Sequence, residues 1–356
     1  MKYNLFTLGE LVTIKYGKNQ KKVQSDDGTI PIYGTGGLMG YATEALHDKP
    51  SVLIGRKGTI NKVRFVDHPF WTVDTLFYTE VNENTVIPKY LYYLMSLLDL
   101  DSYNEGTTIP SLRTETLNRL EFDIPDLEYQ EKVLSVLEPI DKKIRLNEEV
   151  NENLLQQIEA LFKERFLSHD ALPFGWKRMT LGDVSEMSAG GDKPKTISDQ
   201  KTDACQYPVY SNGISDEGLY GFTTDYKISS ESVTVSARGT IGFVCLRHIP
   251  YTPIVRLVTL VPRESIISAK YLYLWLKSIP IHGTGTTQQQ LTVPDFRKTE
   301  IIIPPEADMR EFTETVNPLF HQVWSNQDEN AKLANVRDAL LPRLMSGELD
   351  VSDLDL

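Results

Sequence analysis

The chain reads twice, and nothing else in it restricts the fold as strongly. Leu8-Gly9-Glu10 returns as Leu181-Gly182-Asp183, and Ile30-Pro31-Ile32-Tyr33 as Tyr207-Pro208-Val209-Tyr210. The run SVLIGRKGTI from Ser51 to Ile60 returns as SVTVSARGTI from Ser232 to Ile241. Lys89-Tyr90-Leu91-Tyr92 matches Lys270-Tyr271-Leu272-Tyr273, Gly106-Thr107-Thr108 matches Gly285-Thr286-Thr287, and Ile124-Pro125 matches Ile303-Pro304. These matches are collinear, at a spacing that drifts between 173 and 181 residues. A sequence of this kind folds as a duplicated unit of about half the 356-residue chain.

Each copy has two parts. Residues 1–125 and 171–305 are rich in Gly, Pro, Thr and aromatics, with short β-branched runs that read as strands: 51–55, 59–65, 232–235 and 254–261. Arg56-Lys57-Gly58 and Ala237-Arg238-Gly239 fall between such runs and read as hairpin turns, with glycine supplying a positive φ. Residues 88–98 and 269–277 read as short helices packed on the sheet, so the expected class is α+β.

The segments 126–170 and 306–356 are patterned differently. After Pro139, a ladder runs through Ile140, Ile144, Asn147, Asn151, Leu154, Ile158 and Leu161. After Pro318 it runs through Leu319, Val323, Asn326, Asn330, Leu333, Arg337 and Leu340. Alternating steps of four and three form a coiled-coil seam, and a proline suits the first helical turn. The paired asparagines Asn147/Asn151 and Asn326/Asn330 occupy equivalent rungs. A buried Asn needs a polar partner and so fixes register. Two helices packed separately on their own domains remain the alternative; the matched placement favours pairing. The short link to the second copy then implies an antiparallel pair of ~40 Å, with two similar domains related by a pseudo-twofold axis. That length is close to the ~34–36 Å between half-sites one DNA turn apart.

Composition carries one apparent objection to a nucleic-acid partner. The chain has 37 Lys+Arg against 49 Asp+Glu, a formal charge of −12. By segment, 1–125 holds 13 basic and 15 acidic residues and 171–305 holds 14 and 12, so the β-rich parts are together neutral. The helical segments, with 6 against 11 and 4 against 11, carry the whole excess. A neutral domain can still present a basic face. Lys15, Lys18, Lys21 and Lys22 cluster in the first copy, and Lys193 and Lys195 sit at the corresponding place in the second. Such clusters are either solvated charge or phosphate contacts, and their recurrence supports the second reading.

Catalytic constellations are missing. The six histidines show no metal-ligand spacing, and there is no phosphate-binding GxxxxGK[ST] loop or GxSxG elbow. Gly34-Thr35-Gly36-Gly37 and its counterpart Ser211-Asn212-Gly213 read as turns. Two cysteines make no disulfide framework, and no run approaches a membrane span of roughly 18 apolar residues. With no secretory hydrophobic region at the start, the expected compartment is the cytoplasm. What remains suits recognition. The candidates for DNA contact are Lys18, Lys21, Lys22, Tyr33, Arg56, Lys57, Thr59, Thr107, Thr108, Ser111 and Arg113 in the first copy. In the second they are Lys193, Lys195, Tyr210, Asn212, Arg238, Thr240, Thr286, Thr287, Gln288, Gln289 and Gln290. Cations at turn tips can reach a groove, and threonines beside a glycine can clamp a backbone. Glutamines can read adenine, so the divergence of Ile109-Pro110-Ser111 from Gln288–Gln290 would let the copies read different bases.

With these residues in view, the chain resembles the specificity (S) subunits of type I restriction-modification systems. The resemblance rests on the LGE/LGD openings, the GxTxxxL loops at 106–112 and 285–291, and IPxxxxQ at Ile124–Gln130. Pro173-Phe174-Gly175-Trp176 and the ending LLPRLMSGEL (340–349) are similarly typical. Arg310, where the first copy has Gln130, is a departure that bears on whether the two partner surfaces are equivalent. The resemblance implies two target-recognition domains, each reading half of a bipartite site in double-stranded DNA, separated by an antiparallel coiled coil. It implies no catalysis by this chain and no cofactor bound to it. Two methyltransferase (M) subunits would bring S-adenosylmethionine, and endonuclease/translocase (R) subunits would bring ATP and Mg²⁺ dependence. A subunit serving a methyltransferase alone, or a scaffold binding only proteins, remains the alternative.

Overall fold

The computed structural model describes residues 3–169, 171–283 and 290–354. The chain divides into two compact units: residues 1–148 together with 327–356, and residues 149–326. Each is α+β, and each repeats the other's topology.

In the first unit, Ser51–Gly55 lies inside a four-stranded antiparallel sheet ordered Val12–Tyr16, Leu76–Val81, Ser51–Gly55, Val63–Val66. All five residues of Ser51–Gly55 are buried, as a β-branched run covered on both faces requires. A three-stranded sheet places Ile30–Gly34 between antiparallel Gly37–Ala42 and parallel Trp71–Thr72. Asn4–Thr7 pairs with Glu121–Ile124. The second unit repeats this with Ser185–Ala189, Val258–Pro262, Ser232–Val235 and Val244–Arg247 in one sheet, and Leu219–Thr223, Tyr207–Tyr210 and Thr252–Pro253 in another. Helices Pro88–Ser96 and Ala269–Ser278 pack on the larger sheets through Tyr90, Leu91 and Tyr93 and through Tyr271, Leu272 and Trp275.

The LGE/LGD openings are capping boxes. Thr7 N–H donates to Glu10 Oε2 at 2.7 Å, and Thr180 N–H to Asp183 Oδ2 at 2.9 Å. Each box starts a one-turn helix that buries Leu8 and Leu11, or Leu181 and Val184. These hydrogen bonds from the threonines hold both carboxyls below the usual carboxylate range.

Two strands are shorter than the sequence suggests. The 59–65 run becomes a strand only at Val63, because the chain doubles back at Gly55, where a Cβ would lie 2.2 Å from the Thr59 carbonyl oxygen. Arg56–Lys62 is therefore a folded loop and not a tight turn. The 254–261 run becomes a strand only at Val258, since Val255 and Arg256 have φ of 50° and 62°.

The long helices, Leu127–Phe162 and Glu306–Met345, begin well before the prolines proposed to start them. Pro139 and Pro318 are helix-interior residues. Both face solvent, where water can take the carbonyl that each leaves without a donor. The earlier start has an apolar cause. Tyr129, Val133, Leu134 and Leu137 are buried in the first unit's core, and Met309, Phe312, Val316 and Phe320 in the second's. Thirty-six and 40 residues give lengths of about 54 and 60 Å, more than the ~40 Å reckoned from Pro139.

Both units contain an antiparallel piece of the helix pair. In the first, Asn147 Nδ2 donates to Asn330 Oδ1 at 2.8 Å and to Glu329 Oε2 at 2.8 Å, while Arg337 pairs with Asp141 at 3.1 Å. In the second, Asn326 Nδ2 donates to Asn151 Oδ1 at 2.8 Å, and Arg165 pairs with Glu311 at 2.7 Å. Residue numbers fall on one helix as they rise on the other, so the pairing is antiparallel and all four asparagines lie in the seam. The 4-3 rhythm fails at its last rung: Leu161 is 38 % exposed and Phe162 2 %. Ile158, Phe162 and Phe166 continue in steps of four, the last of them in the π-helical turn Lys163–Leu167, and reach Tyr271 and Phe312.

Candidate nucleic-acid interface

Three loops meet at one place in the first unit. The Arg56–Lys62 loop is pinned from below, with Arg56 and Lys57 N–H groups donating to the Thr75 carbonyl at 2.9 and 3.2 Å. The 105–112 loop closes over it: Gly58 N–H donates to Pro110 O at 2.9 Å, and Leu112 N–H to Arg56 O at 3.0 Å. Gly106 has to be glycine, because a Cβ there would lie 1.9 Å from Ile109 O. Asn104 Oδ1 accepts from the N–H groups of Gly106 and Ser111 at 2.8 and 2.9 Å, tying the loop into a ring. The third segment is Gly17-Lys18. Lys18 N–H donates to Thr72 O at 2.8 Å, and its carbonyl accepts from Trp71 Nε1 at 2.9 Å. Tyr16, beside it, lies under the Arg56 guanidinium at 5.1 Å.

This frame leaves Lys18, Lys57, Thr59, Thr107 and Thr108 exposed, with Ser111 partly so. Arg56 differs from the expectation of a cation reaching outward. It is half-buried, donates to Asp74 O at 2.9 Å and braces the loop from beneath. Arg113 is paired with Glu105 at 3.1 Å, which accepts from Thr116 as well. Lys21 and Lys22 are exposed in the following turn, where Lys21 N–H donates to Asn19 Oδ1 at 2.9 Å. Lys15 leaves the cluster to pair with Glu80 at 3.4 Å, across the sheet. Tyr33 is half-buried, 3.1 Å from His68 Nε2 through its hydroxyl and 5.5 Å beneath the Arg64 guanidinium. Burial raises its pKa and the Arg64 charge opposes that rise.

The second unit repeats the key hydrogen bond: Leu291 N–H donates to Ala237 O at 3.0 Å, as Leu112 does to Arg56. Arg238 is exposed and donates to Gln290 Oε1 at 3.2 Å. Thr240 is partly buried beside it. Asn212 is drawn inward: its Oδ1 accepts from Ala237 N–H and its Nδ2 donates to Val255 O, both at 2.7 Å. It cross-links three segments instead of standing clear. Tyr210 is likewise a brace. The Arg247 guanidinium stacks on its ring at 3.6 Å, and Arg247 donates to Thr234 Oγ1 at 3.0 Å and to the Glu217 carboxylate at 3.0 Å. Arg247 is 3 % exposed and holds a turn in which Asp216 and Glu217 have φ of 48° and 53°. Lys193 sits over the Tyr220 ring and contacts its hydroxyl, while Lys195 is exposed. Thr286, Thr287, Gln288 and Gln289 lie outside the described residues.

Sequence reasoning missed Asn104, Arg64 and Arg247. An Asn two residues before a close-approach glycine is a recognisable ring-closing signal. The two arginines had none, since they occupy different register positions, opposite Leu53 and Ser232.

Gln130 is not on a partner surface. It is fully buried, donates to Thr85 O and Pro125 O, and accepts from Ile87 N–H at 2.8 Å. Its counterpart in the second unit is Met309 and not Arg310. Met309 N–H donates to Pro305 O as Gln130 N–H does to Asp126 O, and Met309 faces Ser268 where Gln130 faces Ile87. The departure at Arg310 therefore concerns how a helix anchors to its own domain.

Among the described residues no group of three or more His, Cys, Asp or Glu could hold a metal ion, and no helix is long and apolar enough to cross a membrane. Fold and loop surfaces together define a duplicated protein, two α+β units of one topology, with exposed cations such as Lys57 and Arg238 on corresponding loops. The chain belongs to the family of the type I restriction modification DNA specificity domain, whose model matches residues 1–156 and again 173–334. It is 27% identical over 344 residues to the type I restriction enzyme MjaIX specificity subunit of Methanocaldococcus jannaschii, covering 86% of this chain and 79% of that one. It is 24% identical over 384 residues to the HindI specificity subunit of Haemophilus influenzae, covering 80% and 83%. The fold matches the crystal structure of a type I restriction-modification S subunit from M. genitalium with a TM-score of 0.61 and 17% identity, over 97% of this chain and 96% of that one.

Proposed function

We propose that this chain is the non-catalytic reader of a type I restriction-modification complex. Its β-rich parts, residues 1–125 and 171–305, each take one half of a bipartite site in double-stranded DNA. The helical segments 126–170 and 306–356 set the gap between half-sites and dock two methyltransferase subunits and the endonuclease/translocase subunits. S-adenosylmethionine, ATP and Mg²⁺ are bound by those partners, in the cytoplasm. The observation that carries this reading is the hydrogen bond repeated in both units, Leu112 to Arg56 and Leu291 to Ala237. In both units it ties the leucine that closes the GxTxxxL motif to the loop that carries Lys57 or Arg238, beside residues that diverge at Ser111 and Gln290. A common frame with different tips is what two half-sites of different sequence require.

The test is to assemble the chain with its methyltransferase subunit, expose DNA to the complex and map the methylated adenines. Two short specific blocks separated by a constant gap of unspecified sequence are expected. A contiguous site, or sequence-independent methylation, overturns the reading.

A further inference from the structure

A cleft of about 600 Å³ opens beside the first unit's loop cluster, lined by the Gly34-Thr35-Gly36 turn, Thr59, Lys62 and Arg64 among others. It carries no acidic residue in its lining. Its third cation, Lys89, is paired with Asp141 at 3.5 Å. Lys62 and Arg64 are exposed and have no ion-pair partner among the described residues. Arg64 is held in place without being neutralised, because its guanidinium lies over the Tyr33 ring, and that ring is fixed through its hydroxyl to His68. The cleft is continuous with the candidate DNA surface. Thr59 belongs to both, and Thr35 Oγ1 lies 3.8 Å from the point where a Gly58 Cβ would stand.

The second unit treats the same chemistry in the opposite way. Its arginine, Arg247, also stacks on the equivalent tyrosine, but it is buried and its charge is met by Glu217. We infer that the Lys62/Arg64 cleft of the first unit holds a phosphate of the DNA backbone, a contact for which the second unit's arginine at that place, Arg247, is not free. Arg64, held over its ring, and Lys62, beside threonine hydroxyls and a glycine-rich turn, suit a phosphate's oxygens, which take a guanidinium in a fork and hydroxyls singly. This rests on the proposed DNA-reading role and adds to it an inequality between the halves: one half-site is held with more charge than the other.

The experiment is a salt titration of DNA binding by the assembled complex on a duplex carrying its own site. Arg64→Gln keeps a planar head over Tyr33 and removes the charge; Lys62→Ala removes the other. Each phosphate that is no longer neutralised lowers the slope of log K against log [salt] by about 0.9. A slope shallower by about 0.9 for the combined Lys62→Ala/Arg64→Gln variant, with unchanged melting temperature and an unchanged ranking of mutated sites, is the expected result. An unchanged slope overturns the assignment. So does a loss confined to particular base pairs, which would make Arg64 a base reader. Failure of the unaltered complex to bind DNA specifically would instead sink the proposed function, and the two outcomes are distinct.

Discussion

Asn326 and Asn151 meet side chain to side chain in the second unit, the Asn326 amide donating to Asn151 Oδ1 at 2.8 Å. Asn151 in turn donates to the Val323 carbonyl at 3.2 Å, and Asn326 Oδ1 accepts from Gln322 at 2.7 Å. Replacing only Asn151 with Leu leaves Asn326 Nδ2 buried without this acceptor, a cost of about 1–3 kcal/mol. Replacing both removes the orphan and restores most of that stability, but it deletes the polar pair that rejects a shifted register. Denaturant unfolding of the single and double variants checks the non-additivity. Strictly additive losses would show that the pair is not coupled.

Gln130 makes three hydrogen bonds in a site closed to water. Gln130→Leu should lower stability by about 2–4 kcal/mol, since three backbone groups lose a partner at once. Met309→Leu, at the counterpart position, should cost less than about 1.5 kcal/mol. Urea denaturation of the two variants side by side reads the contrast.

Gly106→Ala forces its new methyl group to within 1.9 Å of the Ile109 carbonyl, so the loop has to open. The loop is exposed and carries little of the core. Specific binding to the mapped site is therefore expected to fall at least tenfold, on the order of 1.4 kcal/mol, with a melting temperature near that of the unaltered protein. Retained specificity would remove this loop from the interface.

Lys57→Glu combined with Arg238→Glu reverses one exposed charge at each loop tip. DNA binding by the assembled complex should weaken across all sequences, and its salt dependence should fall by about 0.9 in slope for each phosphate released from a cation. Binding unchanged at low salt would favour a scaffold that recognises only proteins.

The two capping boxes give a sign for pH dependence. Hydrogen bonds from Thr7 and Thr180 lower the pKa of Glu10 and Asp183 in the folded state. Their stabilising contribution is present above the unfolded-state carboxylate pKa values and is lost as pH falls through the lowered folded ones. Glu10→Gln and Asp183→Asn should flatten the acid limb of the melting-temperature profile. An acid limb identical to that of the unaltered chain would contradict the assignment.

The duplication, the class of each half and the asparagine rungs were legible because they are periodic or repeated, and periodicity survives without coordinates. Pro139 and Pro318 misled for a definite reason. A proline is a good sign of a helix start only when nothing apolar precedes it in phase, and Tyr129, Val133 and Leu137 stand in phase here. Lys57 and Arg238 were read as cations on loops, and both are exposed there. Arg56 and Asn212 were read as outward-facing because their partners, the carbonyls of Asp74 and Val255, are backbone atoms that a sequence does not display. Arg64 was invisible until its ring partner Tyr33 was placed beneath it.

The first unit is assembled from two stretches of chain, residues 1–148 and 327–356, and its core includes Leu341, Leu344, Met345 and Val351 from the second stretch. The other unit is one uninterrupted stretch, 149–326. Synthesis on the ribosome therefore reverses the usual order in which an N-terminal domain closes first. At roughly 5–20 residues per second, the opening segment waits on the order of ten seconds or more for its last helix turns. During that interval Tyr129, Val133, Leu134 and Leu137 lack their final cover. Of the two units, the one whose first segment is made earlier closes later, and its uncovered apolar helix in the nascent chain is the point at which premature release or mispairing with another chain would do most harm.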